Sequence, residues 1–159
     1  MELDGLLRAL EGTGFATAIR ENESLFPWVE SIHVLAITLV IGSIAIVDLR
    51  LIGLASRDRP AARLAAQILP CTWTAFAVAA ASGALLFSSN AVTYAHNPYF
   101  QAKFAALLLA GVNMAVFHLF AGYDGRGARI AGTLSFVLWI CVVAFGRWTG
   151  FTLHATPLG

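Results

Sequence analysis

Long stretches of this sequence carry no acidic or basic side chain. Charged residues make up only 12% of the 159 positions, and there is none between Ser31 and Val47 or between Gln67 and Lys103. Soluble domains usually carry about twice that share of charge. A charge-free apolar window of about 18 residues or more can cross a hydrocarbon core roughly 30 Å thick. The scarcity of charge therefore predicts a membrane protein with several spans.

Four further absences narrow the class of protein. The net charge is only +1, which predicts no nucleic-acid partner. The first 24 residues lack the basic start and apolar core of a cleavable signal peptide. The two cysteines, Cys71 and Cys141, fall in apolar runs at unmatched depths, so we expect buried thiols and no disulfide. No hydrolase triad, phosphate loop or broken transporter helix is recognisable, which leaves open whether the protein is an enzyme.

Four apolar segments predict an all-α fold, a four-helix transmembrane bundle. We expect one four-span domain at residues 25–159, with spans at about 28–49, 68–88, 100–122 and 130–148. Residues 1–24 form a separate segment in which leucines at positions 3, 6, 7 and 10 recur at helical spacing. This pattern predicts a short amphipathic helix at the membrane interface, and a partly ordered tail is the alternative.

Basic residues in the short links predict the orientation. Arginine fills the first and third links, whereas the second link has no basic residue before Lys103 and the amino tail is acidic. The positive-inside rule therefore predicts that links one and three lie in the cytoplasm and that both termini lie outside. Four aromatic residues would then form a belt at the outer interface: Trp28, Tyr94, Tyr99 and Trp148.

Small residues four positions apart predict where the helices touch. In lipid, such pairs let two helix backbones approach closely. The pairs are Ala79 and Gly83, Thr38 and Gly42, and Gly111 and Ala115.

Ionisable residues collect at the predicted outer end of the bundle. The stretch PWVESIHVLAI places Glu30 three residues before His33, on one helical face. The predicted topology brings six residues to this end: Glu30, His33, His96, Lys103, Arg147 and His154. Intramembrane ionisable groups are costly, so a partnered or functional role is expected. A purely structural alternative pairs Glu30 with Lys103 or Arg147.

Two ionisable residues within the predicted spans, Asp48 and His118, lie at the opposite, predicted cytoplasmic end. Asp48 is expected to anchor that end by pairing with an arginine of the first link. His118 follows Met114 by four residues, which fits either a His/Met ligand pair or ordinary packing.

Three stretches carry a resemblance to known proteins. They are PWVESIHVLAITLVIGSIAIVDLRLIGL, NPYFQAKFAALLLAGVNM and AFGRWTGF, which together cover about residues 27–151. In them the chain resembles a family of small bacterial four-helix membrane proteins of unknown function, which implies a bacterial inner-membrane location. In helix count and histidine placement it is also similar to CopD and bacterial cytochrome b561-type bundles, which use transmembrane histidines for haem or copper.

Three functions remain open from the sequence. The first is a b-type haem protein in electron transfer or quinone chemistry, with a redox partner or larger membrane complex. In it His33 and either His96 or His154 ligate iron, Glu30 orients the His33 ring, and Lys103 and Arg147 pair with propionates. The second is a copper or zinc site formed by His33, His96 and His154. The third is a non-catalytic membrane scaffold or subunit.

Overall fold

Helices account for nearly the whole of the described chain. The computed structural model describes residues 2–154, with side chains for residues 2–153. Seven helices follow one another: α1 Glu2–Glu11, α2 Gly14–Glu21, α3 Leu25–Ile52, α4 Ala61–Ser89, α5 Ala91–His96, α6 Pro98–Phe120 and α7 Arg126–His154. Four of them, α3, α4, α6 and α7, are long and apolar enough to cross a membrane. The predicted four-helix transmembrane fold with a short amino-terminal helix is confirmed, and the protein's surroundings are a lipid bilayer.

Proline, glycine and asparagine set the ends of these helices. Pro60 immediately precedes α4, which begins seven residues before the predicted span, and Pro70 is accommodated inside it. Gly53 ends α3 with a φ of 87°, a left-handed conformation that glycine adopts without strain. Asn97 begins α6 because its side-chain oxygen accepts hydrogen bonds from the backbone N–H groups of Tyr99 and Phe100.

The four long helices pack in the order α4, α3, α7, α6. Helix α3 contacts both α4 and α7, and α7 contacts α6. Within the described residues, no Cα atom of α4 comes within 8 Å of one of α6. The first and last helices of the row are therefore separated by a cleft, which α3 and α7 back. We call the end of the bundle with links 53–60 and 121–125 the arginine end and the other the α5 end.

Aromatic side chains bridge the cleft at the α5 end. Phe87 of α4 stacks on Phe100 of α6 with ring centroids 5.4 Å apart, and Tyr94 lies 5.3 Å from Phe100. Phe104 extends the cluster one turn further along α6, at 4.9 Å from Phe100. These four rings join α4 to α6 where their backbones do not meet, so the cleft is closed at this end.

The amino-terminal segment forms two helices that dock on the α5 end. Helix α1 packs on α5, and α2 packs on α4 with Ala16 and Ile19 buried. The Arg20 guanidinium donates to the Ser89 carbonyl at the end of α4 (3.2 Å), and a Glu11 carboxylate oxygen accepts from the Val92 N–H in the first turn of α5 (2.9 Å). Both charges oppose the partial charge of the helix end they contact, so they satisfy groups that a helix leaves unpaired.

Polar side chains tie neighbouring spans together inside the bundle. Thr72 of α4 donates to Ser43 of α3 (2.8 Å), and the Asn113 amide of α6 donates to the Ala131 carbonyl of α7 (3.0 Å). Hydrogen bonds of this kind replace the hydrophobic driving force that helices lack in lipid.

The small-residue prediction holds for one helix pair and is wrong for two. Ala79 is buried, and a Cβ placed on Gly83 would lie 2.8 Å from the His33 ring, so α4 approaches α3 closely there. The pairs in α3 and α6 are exposed and do not pack on a neighbouring helix: a Cβ on Gly42 or Gly111 would meet nothing within 4 Å, and Gly111 borders open space between the helices. Spacing alone identifies small residues but not the side of the helix that meets a neighbour.

The prediction of buried thiols is likewise wrong for Cys71. Both cysteines are free, but Cys71 is exposed on α4 and Cys141 is half-buried on α7. The apolar sequence around Cys71 faces the surroundings of the bundle rather than its interior.

Candidate binding cavity

His33 of α3 is held against the face of α4. Its Nδ1 lies 3.0 Å from Ser82 Oγ, and its ring packs over Gly83. The Ser82 hydroxyl donates its hydrogen to the Val78 carbonyl (2.7 Å). The network therefore assigns the hydrogen of the His33 ring to Nδ1, which leaves Nε2 as the acceptor.

His96 has partners of its own at the membrane surface. Its Nδ1 donates to the Val92 carbonyl (2.9 Å), and Nε2 lies 3.5 Å from a carboxylate oxygen of Asp4 in α1. The side chain of His154 lies outside the described residues. Among the residues that are described, no group of three His, Cys, Asp or Glu side chains is placed to hold a metal ion. The haem and metal ligand sets that include His154 remain predictions.

The two cations of the predicted cluster contact aromatic rings. The Lys103 ammonium lies 5.7 Å from the centre of the Phe100 ring, and the Arg147 guanidinium lies 4.5 Å from that of Phe151. Glu30 is exposed, and the described residues contain one ion pair, that of His96 with Asp4. The structural alternative in which Glu30 pairs with Lys103 or Arg147 is therefore wrong: each cation is drawn to a ring face instead.

Glu30 acts electrostatically on Tyr94. Burial raises the pKa of the Tyr94 phenol, and the negative charge of Glu30 raises it further. Both effects disfavour the phenolate, burial by removing water and Glu30 by repulsion. Tyr94 therefore stays a neutral phenol within the aromatic cluster that closes the cleft.

A cavity lies near the arginine end, between the four long helices. Its volume is about 190 Å³, and all four spans contribute to its wall. A second cavity of about 260 Å³ lies between α3 and α7. Asp48 of α3 and Trp139 of α7 line both. These two cavities thus converge on one acidic side chain.

Asp48 is buried without a charge partner. Only 4% of its surface is exposed, and its Oδ2 atom has no hydrogen-bond partner, although the Ser135 hydroxyl of α7 bonds to the carboxyl group. The predicted anchor between Asp48 and an arginine of the first link is wrong. Arg50 and Arg57 instead donate to the backbone carbonyls of Arg59 and Gly53. The arginines satisfy the link's own backbone, where their charge stays near water.

Three other polar side chains around the cavity already form hydrogen bonds. Thr72 bonds to Ser43, the Asn113 amide bonds to Ala131, and His118 Nδ1 donates to the Met114 carbonyl (2.9 Å). This last bond orients the His118 ring through its Nδ1 atom, and the His118 and Met114 ligand pair stays a prediction. The rest of the wall is apolar and aromatic, with Trp73, Phe76, Phe117, Tyr123 and Trp139. Asp48 Oδ2, by contrast, is a hydrogen-bond acceptor to which no group of the described residues donates.

The sequence around Asp48 predicts the wrong role for this residue. Asp48 was recognisable as an acid at the end of an apolar run, but its neighbours in the sequence are arginines, and these suggested an ion pair. Helix α3 instead turns Asp48 toward Gly132 of α7, where a Cβ would lie 3.2 Å from the Asp48 carbonyl oxygen. That close approach brings Ser135, one turn later on α7, to the carboxyl group.

Comparison with known proteins assigns the chain to a family. No curated protein and no solved structure is significantly similar to it. Residues 24–152, which span all four transmembrane helices, match the model of a family of unknown function. The predicted membership of a family of unknown function is thereby confirmed, and the chain belongs to the DUF6644 family.

Proposed function

We propose that this integral membrane protein binds a small, largely apolar molecule in the cavity beside Asp48. The observation that carries the proposal is the buried Oδ2 atom without a partner in an otherwise apolar wall. Buried polar atoms in proteins nearly always have a hydrogen-bond partner. An atom without one therefore indicates that a ligand supplies the missing partner when the protein functions. Intramembrane acids are in general functional rather than structural.

The separation of α4 from α6 gives the ligand a route of entry. Their backbones do not meet, and the aromatic cluster closes only the α5 end. A molecule dissolved in the lipid reaches the cavity sideways, without crossing a polar surface. Its apolar body then exchanges lipid contacts for contacts with side chains such as Trp73 and Phe76.

The cavity sets the size of the ligand. A dry cavity of about 150 Å³ holds benzene in another protein. At about 190 Å³, this cavity has room for one aromatic ring with a small substituent. We therefore expect a ligand of that class rather than a whole lipid or a haem at this position.

Fluorine NMR of two probe molecules tests the proposal. The probes are 4-fluorobenzylammonium, whose N–H groups can donate to a carboxylate, and its uncharged carbon isostere 1-ethyl-4-fluorobenzene, added to the full chain in lipid nanodiscs. At least one should bind saturably to the wild type and lose binding in Gly111→Leu, which adds a side chain at the wall of the cavity. Gly42→Leu is the matched control, because it lies on an outward face and should bind normally. Saturable binding of neither probe would refute the proposal.

A b-type haem at the α5 end is a second and separate proposal. The observation that favours it is the bond from His33 Nδ1 to Ser82, since a ligating histidine is usually oriented through its other nitrogen. In this proposal Lys103 and Arg147 would hold haem propionates, and a redox partner would exchange electrons with the protein. Protein purified from haem-supplemented cells should then show Soret and α bands that sharpen on reduction and are lost in His33→Ala. Their absence from the wild type would discard this second proposal.

A further inference from the structure

We infer that the cavity selects a lipophilic organic cation, an ammonium or amidinium group on an apolar body, with Asp48 as its counter-ion. The inference rests on the proposed binding function and names the chemical class of the ligand. It concerns the arginine end of the bundle and is independent of any haem at the α5 end.

The carboxyl group of Asp48 is the first argument. An ionised carboxylate is an acceptor only, with two oxygens to satisfy, and one of these is orphaned. No Lys, Arg or His nitrogen in the described residues lies within 4.0 Å of it. Burying a carboxylate without a cation is costly, and a positively charged ligand removes that cost as it enters.

The engagement of the nearby arginines is the second argument. Arg50 and Arg57 would be the natural internal partners for Asp48, and both donate to carbonyl groups of the link. A cationic ligand therefore has no intramolecular cation to displace.

The aromatic wall is the third argument. Trp73, Tyr123 and Trp139 line the same cavity as the carboxyl group. Indole and phenol faces attract cations through their quadrupole, and this attraction strengthens when water is absent. An acid among such rings is suited to an organic cation, because the rings contact its apolar substituents and the carboxylate contacts its charge.

The donor set argues against a metal ion at this position. Calcium requires six to eight oxygen ligands, and zinc usually four nitrogen, sulfur or oxygen ligands. Ser135 bonds to the Asp48 carboxyl group, Thr72 and Asn113 are engaged elsewhere, and in the described residues no group of three His, Cys, Asp or Glu side chains is placed to hold a metal ion. One carboxyl group and one hydroxyl make a poor metal site but a sufficient anchor for an ammonium group.

The same two probes test the inference with different variants. In nanodiscs of uncharged lipid, the wild type should bind 4-fluorobenzylammonium at least about tenfold more tightly than 1-ethyl-4-fluorobenzene, after correction for partition into lipid. Asp48→Asn, which preserves the shape of the side chain, should abolish this preference and leave the affinity for the neutral probe within about twofold. Asp58→Asn is the matched control, because it makes the same chemical change in an exposed link residue and should retain the preference.

The outcomes separate this inference from the function on which it rests. If the neutral probe binds as tightly as the cation, or if Asp48→Asn retains the preference, the cavity binds ligands but Asp48 is not their counter-ion. If neither probe binds, the proposed function itself fails. Should Asp48→Asn not fold, Trp139→Leu supplies the second test, since loss of an aromatic face must weaken the cation more than the neutral probe.

Discussion

At the scale of single residues, Asp48 has a measurable effect on stability even without a ligand. The Asn side chain removes the buried charge and still offers an acceptor to the Ser135 hydroxyl. We therefore expect Asp48→Asn to unfold at an equal or higher temperature than the wild type in detergent. Ser135→Ala should lower the free energy of unfolding by about 1 kcal/mol, because it removes a partner that Asp48 has. A lower melting temperature for Asp48→Asn would mean that the carboxylate is held by a cation after all.

A second residue-scale prediction concerns Tyr94 and Glu30. The charge of Glu30 disfavours the Tyr94 phenolate, so Glu30→Gln should lower the pKa of that phenol toward its ordinary value. A titration of tyrosinate ultraviolet absorbance follows this change, and Tyr94→Phe identifies which of the three tyrosines is responsible. An unchanged titration in Glu30→Gln would mean that burial alone raises the pKa of Tyr94.

At the scale of elements, the contact between α3 and α4 depends on Gly83. A Cβ at this position would lie 2.8 Å from Cε1 of His33, so Gly83→Ala must push the imidazole away from Ser82. We expect a loss of about 1–3 kcal/mol, as for other overpacked contacts. Gly42→Ala is the control, because open space surrounds that glycine and alanine favours a helix. Equal melting temperatures for the two variants would show that α3 and α4 adjust freely.

Whole-molecule orientation is the last prediction, and it follows from the arginines of the links. With Cys71 and Cys141 replaced by serine, a cysteine introduced at the exposed position Asp58 should react with a membrane-impermeant maleimide only after the cells are opened. Thr93→Cys, exposed on α5 at the other end, should react in intact cells. The reverse pattern would invert the orientation that the positive-inside rule predicts.

Also at this scale, the sequence predicted the elements better than their contacts. Charge-free runs revealed four spans because hydrocarbon thickness limits what can cross it. The depth of each residue in the membrane also follows from its position in the sequence. For that reason the six ionisable residues at the outer end could be grouped from the sequence. The side of each helix that meets a neighbour could not be predicted: Gly42 and Gly111, where a Cβ would meet nothing, have the same spacing as Gly83, which packs on His33. For the same reason Asp48 was paired with sequence neighbours, although its partner Ser135 is on another helix.

The docking of α1 and α2 on later helices determines the order in which parts of the protein reach their final positions. Arg20 finds its partner 69 residues later in the chain, and Glu11 finds its own 81 residues later. At about 5–20 residues per second, a ribosome needs several seconds to supply those partners. During that interval α1 and α2 have already been synthesised, but the ends of α4 and α5 on which they rest do not yet exist. The exposed leucines of α1 can hold the segment at the lipid surface until then, so α1 and α2 are translated before the helices they rest on and are fixed in place after them.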